Sequence, residues 1–219
     1  MNTDSLVNIN GNSVPTLEIL LMMTIIALLP SIIIMMTSFT RTIIILSFVR
    51  NALGVQQTPP NIVLVGLALF LTLFIMQPVL TDIDTNAYKP YIAGEMTQKE
   101  AIEYAKVPLK KFMLKNTEKS AVNLFMDLSG EKKPEQLEEL PMTVVIPSFM
   151  TSELKRAFMA GFLLFLPFLV IDIVVSSTLM SMGMMMLPPA MIALPFKLLL
   201  FVTVDGWQLL FSTIVTSFN

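Results

Sequence analysis

Apolar residues dominate four stretches of the chain, about 17–36, 62–80, 158–182 and 192–214. Each reaches or approaches the ~20 residues that carry an α-helix across the hydrocarbon core of a bilayer. None is clean. Glu18 and Pro30 interrupt the first, Gln77 and Pro78 the second, Pro167 and Asp172 the third, and Pro195, Lys197 and Asp205 the fourth. A helix surrounded only by lipid tolerates such residues poorly, whereas helices packed on other helices can re-satisfy broken backbone bonds and pair buried charges. The pattern therefore predicts an all-α membrane protein working in a multi-helix, multi-subunit bundle. Its parts are a polar segment 1–16, a first apolar helical hairpin 17–80, a charged insert 81–156, and a second apolar hairpin 157–219.

Only the insert resembles a soluble protein. Thr97-Gln98-Lys99-Glu100 has capping-box spacing and predicts a helix running to about Val107, where Pro108 interrupts it. Leu109, Phe112 and Met113, then Leu124, Phe125 and Leu128, recur at the three- and four-residue spacing of a helix that buries one face. The run Ser129 to Pro134 ends that stretch, and Pro141 and Pro147 bracket a short β-branched segment, Thr143 to Ile146.

Orientation is read from short loops, where Lys and Arg mark the cytoplasmic side. The connection 37–60 carries Arg41 and Arg50 and no acid, which places it inside and the insert outside. Lys155 and Arg156 conflict with this reading, since they directly precede the third apolar stretch on its outer side. Arg41 and Arg50 are nine residues apart and tend toward opposite faces of one helix, so topology and snorkelling are preferred for them over a specific intersubunit contact. The first 16 residues hold Asp4 but no Lys or Arg, so they lack the positive region of a secretory signal peptide, and the first apolar segment is expected to be retained.

Composition narrows the chemistry. At 54% hydrophobic residues and a mean hydropathy of +0.74, the chain is more apolar than ordinary soluble domains. It has no Cys and no His, which removes thiol chemistry, imidazole acid–base catalysis and zinc sites built on those ligands. A net charge of −2 argues against a nucleic-acid surface. No P-loop, dinucleotide fingerprint, metalloprotease helix or nucleophile elbow occurs, and neither does an internal repeat. Function is expected in binding, conduction or assembly, with no enzyme activity and no cofactor or metal.

Two features remain. Intramembrane ionisable residues are functional candidates, and folding the last two apolar stretches about Met185 and Met186 makes Asp172 and Lys197 plausible partners, with Asp205 competing for the same lysine. An ion pair or triad that fixes helix register or subunit docking is favoured over a proton relay. The hairpin tip, Met180-Ser181-Met182-Gly183-Met184-Met185-Met186-Leu187-Pro188-Pro189, is built of thioethers. It could fill an irregular core; alternatively, several copies meeting around an axis would form a deformable apolar constriction that gates by dewetting.

Linked motifs then point to a family. Phe39-Thr40-Arg41, Ser47-Phe48-Val49-Arg50, Pro59-Pro60-Asn61 and Gly66 to Leu71 open the series. Pro147-Ser148-Phe149, Ser152-Glu153-Leu154-Lys155, Leu166-Pro167-Phe168, Asp172, Met182 to Met186, Leu194-Pro195-Phe196-Lys197 and Asp205-Gly206-Trp207 complete it. Over nearly all the chain these resemble the flagellar biosynthetic FliP family, whose relatives include the matching subunit of virulence-type type III secretion systems. Pro59-Pro60-Asn61 and Leu187-Pro188-Pro189 look more like the flagellar branch. The resemblance implies an export-gate subunit in a closed helical ring, with FliQ, FliR and further copies of itself as partners, FlhB and FlhA beside it, and unfolded flagellar proteins as cargo. It places the chain as a multi-pass protein of the bacterial inner membrane, within the flagellar basal body, with hairpins that do not all cross the bilayer conventionally. On this chain Met184, Met185 and Met186 would be the channel seal, and Asp172, Lys197, Asp205, Arg41 and Arg50 the charged packing and assembly residues. The rival reading is a secondary transporter or proton channel using Asp172, Lys197 and Asp205, although no repeated halves are visible.

Overall fold

Nine α-helices carry the described part of the chain, which in this computed structural model comprises residues 8–9, 12–13, 15–55, 57–130, 136–184 and 186–218. The chain forms two units, divided after Met35. The first holds a minimal antiparallel pairing, β1 (Asn8–Ile9) with β2 (Asn12–Ser13), and the helix α1 (Pro15–Met35), which accommodates Pro30 in its interior.

The second unit is built on α2 (Phe39–Leu53) lying against α7 (Met142–Ser181). On α2, Ile45, Leu46, Val49, Ala52 and Leu53 are buried at the spacing of one helical stripe. The stripe meets Val144, Val145 and Phe149 of α7 in one hydrophobic cluster with Leu64 and Met76 of α3 (Asn61–Ile83). The two helices approach closely at Gly161, where a Cβ would stand 2.5 Å from the Phe48 ring, and that ring meets Phe158 edge-on at 5.5 Å between centroids. Glycine is required there for contact, not for conformation.

The helix of α3 continues through a π turn at Asp84–Tyr88 into α4 (Lys89–Ile92), 32 residues in one run. The insert adds α5 (Gln98–Lys115) and α6 (Lys119–Ser129). Phe112 and Met113 of α5 and Met126 of α6 bury themselves under the first half of α7. Two serines fasten α6 there: Ser152 Oγ accepts the Glu118 N–H at 2.9 Å, at the N-cap of α6, and Ser148 Oγ donates to the Ala121 carbonyl at 3.3 Å. After α7 the chain turns into α8 (Pro189–Thr203) and bends by 63° into α9 (Gly206–Thr216).

Two boundaries differ from the sequence expectation. Helix α5 does not stop at Pro108 but runs seven residues further to Lys115, because Phe112 and Met113 bury beyond the proline and the lost backbone bond costs less than that packing returns. Likewise the β-branched segment Thr143 to Ile146 is helical, and α7 starts at Met142 with Pro147 inside it. Its burial of Val144, Val145 and Phe149 overrides local β-propensity. As a result α7 is 40 residues long, roughly 60 Å at the helical rise, about twice the hydrocarbon thickness of a bilayer. Lys155 and Arg156 lie inside this helix, not at a loop edge.

The capping box forms as read: the Thr97 hydroxyl accepts the Glu100 N–H at 3.3 Å and the Glu100 carboxylate accepts the Thr97 N–H at 2.7 Å. The backbone N–H, and after it the hydroxyl, holds Glu100 below its ordinary value of 4.5. Because the folded value is depressed, this contribution is complete above that ordinary value and fades as pH falls through the lower folded one. Thr97→Ala is expected to speed exchange of the Glu100 amide roughly fivefold at neutral pH. The difference should narrow in acid; an unchanged exchange rate in the variant would contradict the cap.

Candidate functional site

Charge placed among apolar helices must be paired or wet, and two ion pairs in the second unit meet that demand. Lys197 of α8 is 5% exposed, and its Nζ donates to Asp172 Oδ2 of α7 at 2.6 Å and to the Ala52 carbonyl near the end of α2 at 3.0 Å. One ammonium thereby joins three helices. It also supplies positive charge at the C-terminal end of α2, where the helix dipole favours it. Gly54 turns the chain away beside it with φ of 78°.

The second pair joins Arg41 of α2 to Glu153 of α7, with side chains 3% and 0% exposed. Arg41 Nε donates to Glu153 Oε2 at 2.9 Å, and its Nη2 donates to the other carboxylate oxygen. Nη1 donates to the Ser217 carbonyl and hydroxyl at 3.1 and 3.0 Å, tying in the chain just after α9. The guanidinium lies 3.7 Å over the Phe218 ring, which stacks at 6.0 Å on Phe112 of α5. The fork of Arg suits this site as a single ammonium would not.

Three expectations change here. Arg41 does not snorkel, and Arg50 reaches from α2 to the Pro59 carbonyl and the Asn61 side chain, holding the α2–α3 turn. The segment 37–60 is thus mostly a packed helix whose arginines bond within the chain, so it no longer serves as a loop for reading orientation. Asp205 does not compete for Lys197. The bend between α8 and α9 falls on Asp205 itself, in the left-handed conformation at φ of 49°, which removes the continuous helix that would have placed it near the lysine. It is exposed and makes no ion pair among the described residues.

In the sequence Glu153 stands out only as part of Ser152-Glu153-Leu154-Lys155. It extends the buried series Val145 and Phe149, at a spacing of four, toward Ala157. A carboxylate on that apolar stripe was the available signal for a buried cation partner.

At the far end of α7, Met182 and Gly183 close the helix: the Gly183 N–H donates to the Met180 carbonyl at 3.0 Å and the Met184 N–H to the Leu179 carbonyl at 3.0 Å. Gly183 adopts φ of 75°, the left-handed conformation that terminates helices and favours glycine. Of the three residues expected to form a seal, Met185 lies outside the described residues, whereas Met184 is 44% and Met186 99% exposed. Met180, Met182 and Met191 also face outward, and no charged residue occurs from Ile173 to Phe196. The hairpin thus combines a charged clamp at its base with an uncharged thioether tip.

Comparison with known proteins agrees with these motifs. The family described as the FliP family matches residues 22–214. The chain is 50% identical over 217 residues to the flagellar biosynthetic protein FliP of Bacillus subtilis (strain 168), covering 97% of this chain and 98% of that one. It is 51% identical over 220 residues to FliP of Caulobacter vibrioides, covering 98% and 83%. FliP of Aquifex aeolicus is 46% identical over 211 residues, covering 95% and 88%.

Arg41→Met strands the fully buried Glu153 and is expected to cost about 3–5 kcal/mol. Lys197→Met leaves Asp172, a third exposed, and is expected to cost less. The double changes with Glu153→Gln or Asp172→Asn should be milder than the worse single. Thermal unfolding of the detergent-solubilised chain reads this. Additive single and double effects would mean the charges are not coupled.

Proposed function

The chain belongs to the FliP family and is a membrane-associated component of the flagellar biosynthesis and export apparatus, and from that premise we propose that it is a core subunit of the export gate. In this reading it forms, with FliQ, FliR and further copies of itself, the channel that conducts unfolded flagellar proteins across the inner membrane. FlhA and FlhB act beside it, and the chain itself carries out no reaction. The observation that carries the reading is the tip: an uncharged, outward-facing group of methionines at the end of a helical hairpin whose base is fixed by Asp172 and Lys197.

A channel for many different polypeptides must close against ions yet widen around side chains of any size. Unbranched thioethers can move at low cost and still exclude water, which a rigid ring cannot do. Met184, Met185 and Met186 are assigned this sealing role. The clamp transmits position: with α2, α7 and α8 held together at Lys197, the tip stands at a fixed height on the subunit. The apolar outer faces support a place among partners, since only 11% of the most apolar window of α7 and 22% of that of the α3 run are buried within the chain. The length of α7 further supports a gate that extends beyond the bilayer.

The transporter reading finds less support: it needs Asp172, Lys197 and Asp205 together, but Lys197 is bonded to Asp172 and a backbone carbonyl, while Asp205 is exposed and makes no ion pair among the described residues.

Replacing Met184, Met185 and Met186 by Ala should raise ion conductance or small-solute uptake in cells that assemble the variant at normal levels, while some export continues. Unchanged permeability would remove the sealing role.

A further inference from the structure

The Arg41–Glu153 pair closes one end of a groove of about 400 Å³ between α2, α7 and α9. Its walls are Ile45, Ala160, Leu163, Leu164, Leu210 and Ile214, so its floor is apolar. At the same end stands Arg156, half-buried, one turn beyond Glu153 on α7. It is close enough for both Arg41 and Glu153 to feel its charge, yet it forms no ion pair or hydrogen bond among the described residues. Its neighbour Lys155 behaves differently, meeting Glu118 at 2.6 Å on the side of the insert.

Among the described residues the local charge does not cancel: two guanidinium groups, Arg41 and Arg156, face one carboxylate, Glu153. Other polar groups on the walls are already used, Thr213 donating to the Leu209 carbonyl and Ser217 to the Ile214 carbonyl while accepting from Arg41. What the groove leaves unmet is a single cation at the mouth of an apolar trough. From Arg156 to Leu163 the trough follows α7 for roughly 10 Å.

We propose that this groove is a binding site for an anionic phospholipid, its phosphate on Arg156 and one acyl chain along Ala160 and Leu163. A guanidinium fork matches phosphate oxygens in a way a zwitterionic headgroup, with its own cation nearby, satisfies less well. The groove is in the range that takes a small ligand, and an anionic lipid supplies in one molecule both the charge that Arg156 leaves unmet and the chain that the apolar walls take. A soluble anion would leave the apolar walls in water. The inference rests on membrane placement and is independent of the export role.

The test is native mass spectrometry of the full chain in mild detergent, titrated with phosphatidylglycerol or phosphatidylcholine. The wild type should retain the anionic lipid about tenfold more strongly, the difference a charge-assisted contact makes. Arg156→Gln should bring the two lipids to parity. Ala160→Phe, which fills the trough and leaves the cation, should lower retention of both, and Lys155→Gln should retain the wild-type preference. Equal retention of the two lipids by the wild type would overturn the proposal, as would a preference that survives both groove variants. So would a carboxylate of a neighbouring subunit cross-linking to Arg156 in place of lipid.

Discussion

The structure of the second unit depends on the demand that charges inside apolar helices be bonded at both ends of α2. At its start Arg41 is locked to Glu153, and near its end the Ala52 carbonyl receives the ammonium that also holds Asp172. Between these points the apolar stripe of α2 packs on α7, with Gly161 admitting Phe48. Hydrophobic contact alone is non-directional and would tolerate sliding of one smooth helix along another. Two bonded charges of fixed geometry select one register. Buried pairs need not add net stability, since desolvation offsets much of the attraction; here their contribution is specificity of alignment, and the tip at Met184 and Met186 inherits its position from them.

The same arrangement divides the surface by function. Where α2, α5 and α6 cover α7, its residues are sealed: Val145, Phe149 and Glu153 are fully buried. Beyond Gly161 cover becomes sparse, and Phe162, Val170, Ile173 and Val174 are exposed in a single chain. Contiguous apolar surface of that extent marks contact with lipid or other proteins. Folding therefore completes the charged base of the second unit and leaves this apolar part bare.

How far the sequence could be read follows from how local each signal is. Asp172 and Lys197 are 25 residues apart across one hairpin, so folding the chain about its methionine turn brings them together without other knowledge. Arg41 and Glu153 are 112 residues apart, in stretches assigned to opposite sides of a membrane by counting charges. A count cannot recognise that a charge is buried. Pro108 reads locally as a helix interruption and Pro147 as the end of a β-branched segment, yet both lie inside helices whose later turns bury large side chains. The capping box, which needs only four consecutive residues, formed as read. Asp205 went the other way: a residue assumed to ride on a straight helix is itself the corner.

The central claim is that this chain functions as one subunit of a closed assembly whose neighbours cover those bare apolar faces. The direct measurement is the native mass of the gently extracted protein after expression with FliQ and FliR. The account predicts one particle many times the 24.4 kDa of the chain. A stable, monodisperse monomer that still supports flagellar export would contradict it.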